Sequence, residues 1–486
     1  MDPSTETARA LPVSTSHDVR RRKTTLGVPP RVAVWVAILM VVGSLLCIAL
    51  WGTTPRVQVD TSSYQGAAQR LSELDLDTLF YRSLGYPAIL VLTGSEEQLT
   101  PILFVVQLAF HLCTVWVIIA LAQRFELPHL GSIGLAFVLL SPPVIERVTF
   151  GLSETSCALF VALTAMFLVR WMERRKARDA LLAGISIAIA AFMRPNFQFY
   201  GVLTAVAVLV WLWRKGHRRE ALRSAGLLIL GSAVLIGGMT LFNTVRFGYP
   251  GFSPLTGWLL STKTTLLIDH LSNDEPAKPF LIAARERALE TNPRGGPMYA
   301  LQAIDQLETD LHMDRATLSQ YMLALNLRLI RHHPGEYSAS VVTDAGRYIL
   351  PTTGGTSADF GTRGFSLWFL LAHFGLLLAF FVQLVGVIGL HIARRLGASI
   401  AGPFSNNSAI QTWWIALSLV VYCAVTTITI VYTSPRHRVP TDPLILLLIF
   451  GGAYLLFVAF RQGHDSEPDG RQALHGSSMA THGQGA

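Results

Sequence analysis

Residues 32–51 read VAVWVAILMVVGSLLCIALW, and residues 52–64 continue GTTPRVQVDTSSY. The first stretch carries no charge and, at about 20 residues, is long enough to cross a bilayer as a helix. The second turns polar at once and brings a carboxylate, Asp60, close behind the apolar run. The polar stretch Met1–Arg31, with Arg20-Arg21-Arg22-Lys23, precedes the run. Its length, and that of the run itself, argue against a cleavable leader. The run reads instead as the first of a series of spans entered from the cytoplasmic side.

Further apolar runs lie near 99–123, 129–145, 153–171, 179–193, 196–213, 221–242, 365–391, 409–431 and 441–460. Composition agrees, with 51% hydrophobic and 14% charged residues where soluble chains average about 25% charged. The expected fold class is therefore an all-α polytopic membrane protein with about ten transmembrane helices. Arg194-Pro195 reads as a tight turn between two spans, because proline disfavours helix in the residue before it. With ten spans and the N-terminus inside, the clusters Arg20–Lys23, Arg170–Arg178, Arg214–Arg223 and Arg394-Arg395 all fall inside, as the positive-inside rule asks. Both termini are then cytoplasmic.

The net charge of +8 resides in these short clusters, which act as topology signals and do not form a nucleic-acid face. The four cysteines, Cys47, Cys113, Cys157 and Cys423, all lie inside apolar runs without metal or redox spacing, and read as buried hydrophobes. The chain divides into a disordered cytoplasmic tail (1–31), an N-terminal transmembrane module (32–242), an extracytoplasmic helical loop (243–364), C-terminal transmembrane helices (365–460) and a second cytoplasmic tail (461–486). Gly52–Gln98, Ser141–Leu152, Arg194-Pro195, Asn243–Gly364 and Tyr432–Thr441 face outside. The pattern predicts helices over Tyr64–Leu74, Ala277–Glu290 and Ala316–Ile330, the last two forming a small cap on the membrane.

The outside segments carry the candidate chemistry. Asp60 suits a general base, since a partly apolar setting raises carboxylate basicity; it equally suits a helix N-cap. Arg82, in Tyr81-Arg82-Ser83-Leu84-Gly85-Tyr86-Pro87, suits a phosphate clamp or an interfacial anchor. Glu154, in Leu152-Ser153-Glu154-Thr155, suits the site or the helix dipole. Arg436, His437 and Arg438, and also Arg246, place cations outside against the usual bias; each suits an anion clamp or a snorkelling side chain. Arginines hold a lipid phosphate as it leaves and a carboxylate takes the proton of an acceptor hydroxyl, so the set suits glycosyl transfer from a lipid-phosphate sugar, and it suits other anionic-lipid chemistry too. There is no Walker A, no strand–helix GxGxxG and no HExxH. Asp75-Leu76-Asp77 mimics a DxD motif on a loop where no nucleotide sugar is supplied. Ionisable residues within the spans are too few for an ion-coupled transporter.

At these residues the chain resembles the GT-C membrane glycosyltransferases, in particular the bacterial relatives of protein O-mannosyltransferases and of the lipid A aminoarabinose transferase. The resemblance is carried, over about 32–460, by Asp60-Thr61-Ser62-Ser63-Tyr64, Tyr81–Pro87, Ser153-Glu154-Thr155 and Arg194-Pro195. Asn243–Gly248, His333-Pro334-Gly335-Glu336-Tyr337 and Pro435–Pro440 continue it in order. It implies an inverting transfer from a polyprenyl-phosphate sugar to a glycan, lipid or protein acceptor on the extracytoplasmic face of the cell membrane. Asp60 and Glu154 are then the catalytic pair, and Tyr64, Arg82, Arg194, Arg246, Arg436, His437 and Arg438 contact substrate. Thr61 follows Asp60 where protein O-mannosyltransferases place Glu, and the large soluble C-terminal domain of oligosaccharyltransferases is absent. No cofactor is required; a divalent metal is compatible with Asp60 and Glu154. The other readings are a flippase of lipid-linked sugars, or a polymerase or ligase of lipid-linked glycans.

Overall fold

The computed structural model describes residues 27–58, 60–291, 301, 303–349, 363–396, 407–431, 433 and 435–465. Expectations that fall on residues 1–26 and 466–486, including the basic cluster Arg20–Lys23, lie outside them. Among the described residues every extended element is helical; an isolated bridge between Arg56 and Phe150 ties the first loop to the segment before Glu154.

The chain is a polytopic all-α membrane protein. The long helices are α1 Pro30–Trp51, α2 Pro101–Ala122, α3 His129–Leu139, α4 Glu154–Arg174, α5 Ala177–Met193, α6 Tyr200–Arg214, α7 Arg218–Phe247, α8 Arg363–Arg395, α9 Asn407–Ile430 and α10 Asp442–Asp465. Eight of the ten expected segments are long and apolar enough to span a bilayer unaided. The 129–145 segment is a helix pair bent by 50°, broken where Pro142 and Pro143 follow Ser141. The 179–193 segment is a 17-residue helix. It is fully separated from the next span: Arg194 is extended (φ −145°) and Pro195–Phe197 forms a 3-10 turn. Val34, Trp35, Val41, Leu45, Val234 and Val385 expose large apolar side chains, which suits a lipid-facing surface.

Four helices, α4 to α7, form the tightest part of the bundle. Small residues make this possible. A Cβ on Gly184 of α5 would lie 2.4 Å from the carbonyl oxygen of Leu228 in α7, and one on Gly231 of α7 would lie 2.5 Å from that of Leu181. Backbone proximity of this kind is the main attraction available to helices in lipid. Gly231→Leu is expected to destabilise the protein by about 1–3 kcal/mol or more through overpacking, lowering the thermal midpoint in detergent. An unchanged midpoint would show that the two helices tolerate separation.

The segment between α7 and α8 is a helical cap with its own apolar core of Trp258, Leu267, Ile268, Leu281, Leu318 and Met322. The two predicted cap helices are present as Lys278–Thr291 and Arg315–His332. Asp314 starts the second by accepting the backbone N–H groups of Ala316 (2.9 Å) and Thr317 (3.1 Å). The cap begins later than residue 243, because α7 runs on to Phe247 and ends at Gly248, whose φ of +65° suits glycine. Likewise α10 continues to Asp465, beyond the expected end at 460.

Candidate active site

The first-loop helix spans Thr61–Ser72, starting before the predicted Tyr64. Thr61 fixes that start: its hydroxyl accepts the Gln58 amide at 2.8 Å and donates to the Gly151 carbonyl at 3.1 Å. Asp60 occupies the N-cap position but forms no capping hydrogen bond. Its carboxylate instead accepts a hydrogen bond from Arg436, and its Oδ1 lies 3.8 Å from the Arg82 guanidinium. Residues far apart in the chain therefore meet at one end of the bundle.

Arg82 is held from two sides. Its Nε donates to the Ser63 hydroxyl at 2.7 Å, and its guanidinium sits 4.7 Å from the centroid of the Tyr64 ring. Tyr64 in turn places its hydroxyl 3.2 Å from that of Ser153 and its ring edge-on to Tyr86, centroids 5.0 Å apart. Ser153 precedes Glu154, whose Oε1 pairs with Arg194 at 2.8 Å. That pair is well buried, with side-chain exposures of 7% and 15%. The second Glu154 oxygen is buried and has no protein hydrogen-bond partner.

The electrostatics correct one expectation. Burial alone pushes the Asp60 carboxyl up, but Arg436 and Arg82, with a further pull from Arg194, outweigh it and hold Asp60 below the ordinary carboxylate range. Asp60 is thus a firmly ionised group gripped by cations, not a base strengthened by an apolar setting. Tyr86 behaves oppositely: burial, then the nearby Glu154 and Tyr64, push its phenol well above the usual range. It stays neutral and accepts a hydrogen bond from Gln107 at 3.0 Å.

Not every predicted cation joins this group. Arg246 makes a two-pronged bond to Asp77, at 2.9 and 3.1 Å, on an exposed surface. Its last-turn position on α7 directs it to the second Asp of the DxD-like stretch. Arg438 donates to Asp442 at 2.7 Å and to the carbonyls of Tyr348 and Ile349, both at 3.0 Å. It ties the turn Pro435–Thr441 to α10 and the cap, so its guanidinium is occupied in structure where a phosphate contact was expected. His437 is half-buried on the same turn, its carbonyl facing the Cys423 thiol. Tyr86 and Ser63 belong to the group although the sequence reading did not single them out. Tyr86 stood within the quoted Tyr81–Pro87 stretch, and an aromatic between Gly and Pro at membrane re-entry was the available signal.

One further set of side chains has the donor types of a divalent transition-metal site. His270, His333 and Glu336 bring ligand atoms within 4.8 Å of one another at the cap surface. The histidine rings stack with centroids 4.0 Å apart, and the His270 Nε2 lies 3.0 Å from the Glu336 carboxylate.

No family model and no curated relative matches the chain. Among solved structures, it is similar to the crystal structure of ArnT from Cupriavidus metallidurans bound to undecaprenyl phosphate. The sequence identity is 12% and the TM-score 0.35, over 89% of this chain and 79% of that one.

Proposed function

We propose that this protein is a membrane glycosyltransferase of the GT-C type, moving a sugar from a polyprenyl-phosphate donor to an acceptor hydroxyl on the extracytoplasmic face. The observation that carries the reading is the Asp60 carboxyl held between Arg82 and Arg436, beside the buried Glu154–Arg194 pair. Three guanidinium groups face two carboxylates, so the site has one positive charge in excess and accepts an anion. The sequence resemblance to GT-C enzymes supports the same chemistry.

In this scheme the donor phosphate engages Arg82 and Arg436, drawing them away from Asp60. The carboxylate then loses the cations that depress its basicity, and becomes able to take a proton. The acceptor oxygen attacks the anomeric carbon while the bond from that carbon to the phosphate oxygen breaks. Polyprenyl phosphate leaves as an anion held by the arginines, the acceptor proton passes to Asp60, and the anomeric configuration inverts. Glu154, with its open oxygen, accepts a hydroxyl of the sugar or the acceptor. Phosphate binding thus arms the base, which protects a donor from hydrolysis until it is seated.

The reading is tested with undecaprenyl phosphate as probe. Arg436→Ala in nanodiscs is expected to weaken its binding by about 1.5–3 kcal/mol, the scale of a hydrogen bond to a charged group. Affinity equal to that of the wild type would remove Arg436 from the phosphate site. Comparing envelope glycans and glycoproteins by mass spectrometry, with and without the gene, would identify the acceptor class. A lost glycoform rescued by the wild type but not by Asp60→Asn supports transfer, whereas lipid-linked sugar accumulating on the cytoplasmic side supports a flippase.

A further inference from the structure

Arg436 sits on a short turn, and a turn of this kind does not aim a guanidinium by itself. The turn packs against α4, α9 and α10, and the cap helix Pro334–Ile349 adds hydrogen bonds on both sides of Arg436. On one side of Arg436, the backbone N–H of Thr433 donates to Asp344 Oδ2 at 3.3 Å. On the other, Arg438 donates to the carbonyls of Tyr348 and Ile349 at the helix's C-terminal end. Tyr337, nearer the start of the helix, donates to the Thr429 carbonyl in the last turn of α9 at 2.5 Å.

Asp344 is the centre of this clamp. It is 2% exposed, as is Lys263, whose Nζ lies 2.6 Å from Asp344 Oδ2. Arg347 donates to Oδ1 at 2.8 Å. Lys263 belongs to the cap helix Leu255–Thr264, which packs against Arg315–His332 closely enough that a Cβ on Gly257 would lie 2.5 Å from the Ser319 carbonyl. The buried ion pair therefore links the core of the cap to the backbone of the turn that bears Arg436. Burial of a Lys–Asp pair costs desolvation and is a weak source of stability. Its value lies in direction: a carboxylate already engaged by Lys263 and Arg347 presents a fixed oxygen to the Thr433 amide.

We propose that Asp344 is a positioning residue, through which the cap sets Arg436 against Asp60. Its functional consequence rests on the phosphate reading above; the positioning itself does not. The cap is then part of the donor site without touching the donor, and anything that shifts the helix Pro334–Ile349 retunes the arginine.

The test uses the full chain in nanodiscs, with hydrogen–deuterium exchange and undecaprenyl phosphate binding as readouts. Asp344→Ala is expected to raise amide exchange in the peptide from Arg436 to Thr441 about tenfold, with α4 to α7 unchanged. It should weaken undecaprenyl phosphate binding about tenfold in the wild-type background and not at all in the Arg436→Ala background, as coupled residues do. Multiplicative losses would mean that Asp344 acts independently of Arg436 and would overturn the proposal, as would unchanged exchange in that peptide. If exchange rises while binding is unaffected, the clamp stands and the phosphate role of Arg436 fails. Asp344→Ala leaves Lys263 as an unpaired buried cation, so the double variant Lys263→Met/Asp344→Leu removes both charges and the Thr433 acceptor together. Wild-type exchange in a folded double variant would likewise overturn the proposal.

Discussion

Asp60→Asn is expected to abolish transfer, by about 10²–10⁴-fold from the loss of a general base, in a protein that still inserts and binds undecaprenyl phosphate. The two effects separate because, in the proposed scheme, Asp60 is the partner the lipid phosphate displaces. Neutralising it removes the base but also frees Arg82 and Arg436, so probe affinity should hold or tighten. A variant that turns over like the wild type would eliminate Asp60 as base. One that loses binding and turnover together would make Asp60 structural. The pH dependence has a fixed sign. Arg436 and Arg82 outweigh burial and hold the folded-state carboxyl below its ordinary value. Its contribution to stability is therefore present above the unfolded value of about 3.9 and is lost as pH falls through the depressed folded value. The stability difference between wild type and Asp60→Asn should be full at neutral pH and close only in strong acid. Arg436→Gln, which relieves the depression, should shrink that contribution and bring its loss to completion at higher pH.

Arg194→Met is expected to be the most destabilising single change at this end of the bundle, at about 3–5 kcal/mol. It strands Glu154, whose side chain is 7% exposed and whose Oε2 already lacks a protein partner. Burying one uncompensated carboxylate costs far more than removing both charges. The double variant Glu154→Gln/Arg194→Met should therefore regain most of the lost thermal stability while remaining inactive. Detergent thermal unfolding of both variants checks this. If the double variant is as unstable as Arg194→Met, packing around the Arg194 stem, and not the stranded charge, is responsible.

Why the polar set was readable and its pairings were not follows from particular residues. Asp60, Glu154 and Arg194 declared themselves by position: each is a charge at the end of an apolar run, where bilayer length alone fixes depth. The pairings of the other arginines with their carboxylates did not follow from position. Arg82, Arg436 and Arg438 are comparable on paper, two of them on one turn, yet only Arg82 and Arg436 reach Asp60. Arg438 points the other way, to Asp442 and two carbonyls of the cap. Arg246 has an acidic partner nearer at hand in Asp77. Lys263 and Asp344 gave no signal, since a lone Lys in a helix and a lone Asp in another look like solvated charges until the two helices are packed together.

The sequence by itself determined that the chain crosses a bilayer many times, and where its polar residues emerge. Those properties depend on local hydrophobicity and length, with each span independent of the others. The tertiary structure alone decided which emerging charges meet, which arginines pair with Asp60 and which turn to other partners, and that burial loses to the guanidinium groups at Asp60. Those properties depend on distances of a few ångströms between residues hundreds of positions apart, and Coulomb energies at that range change sign of effect with the partner chosen.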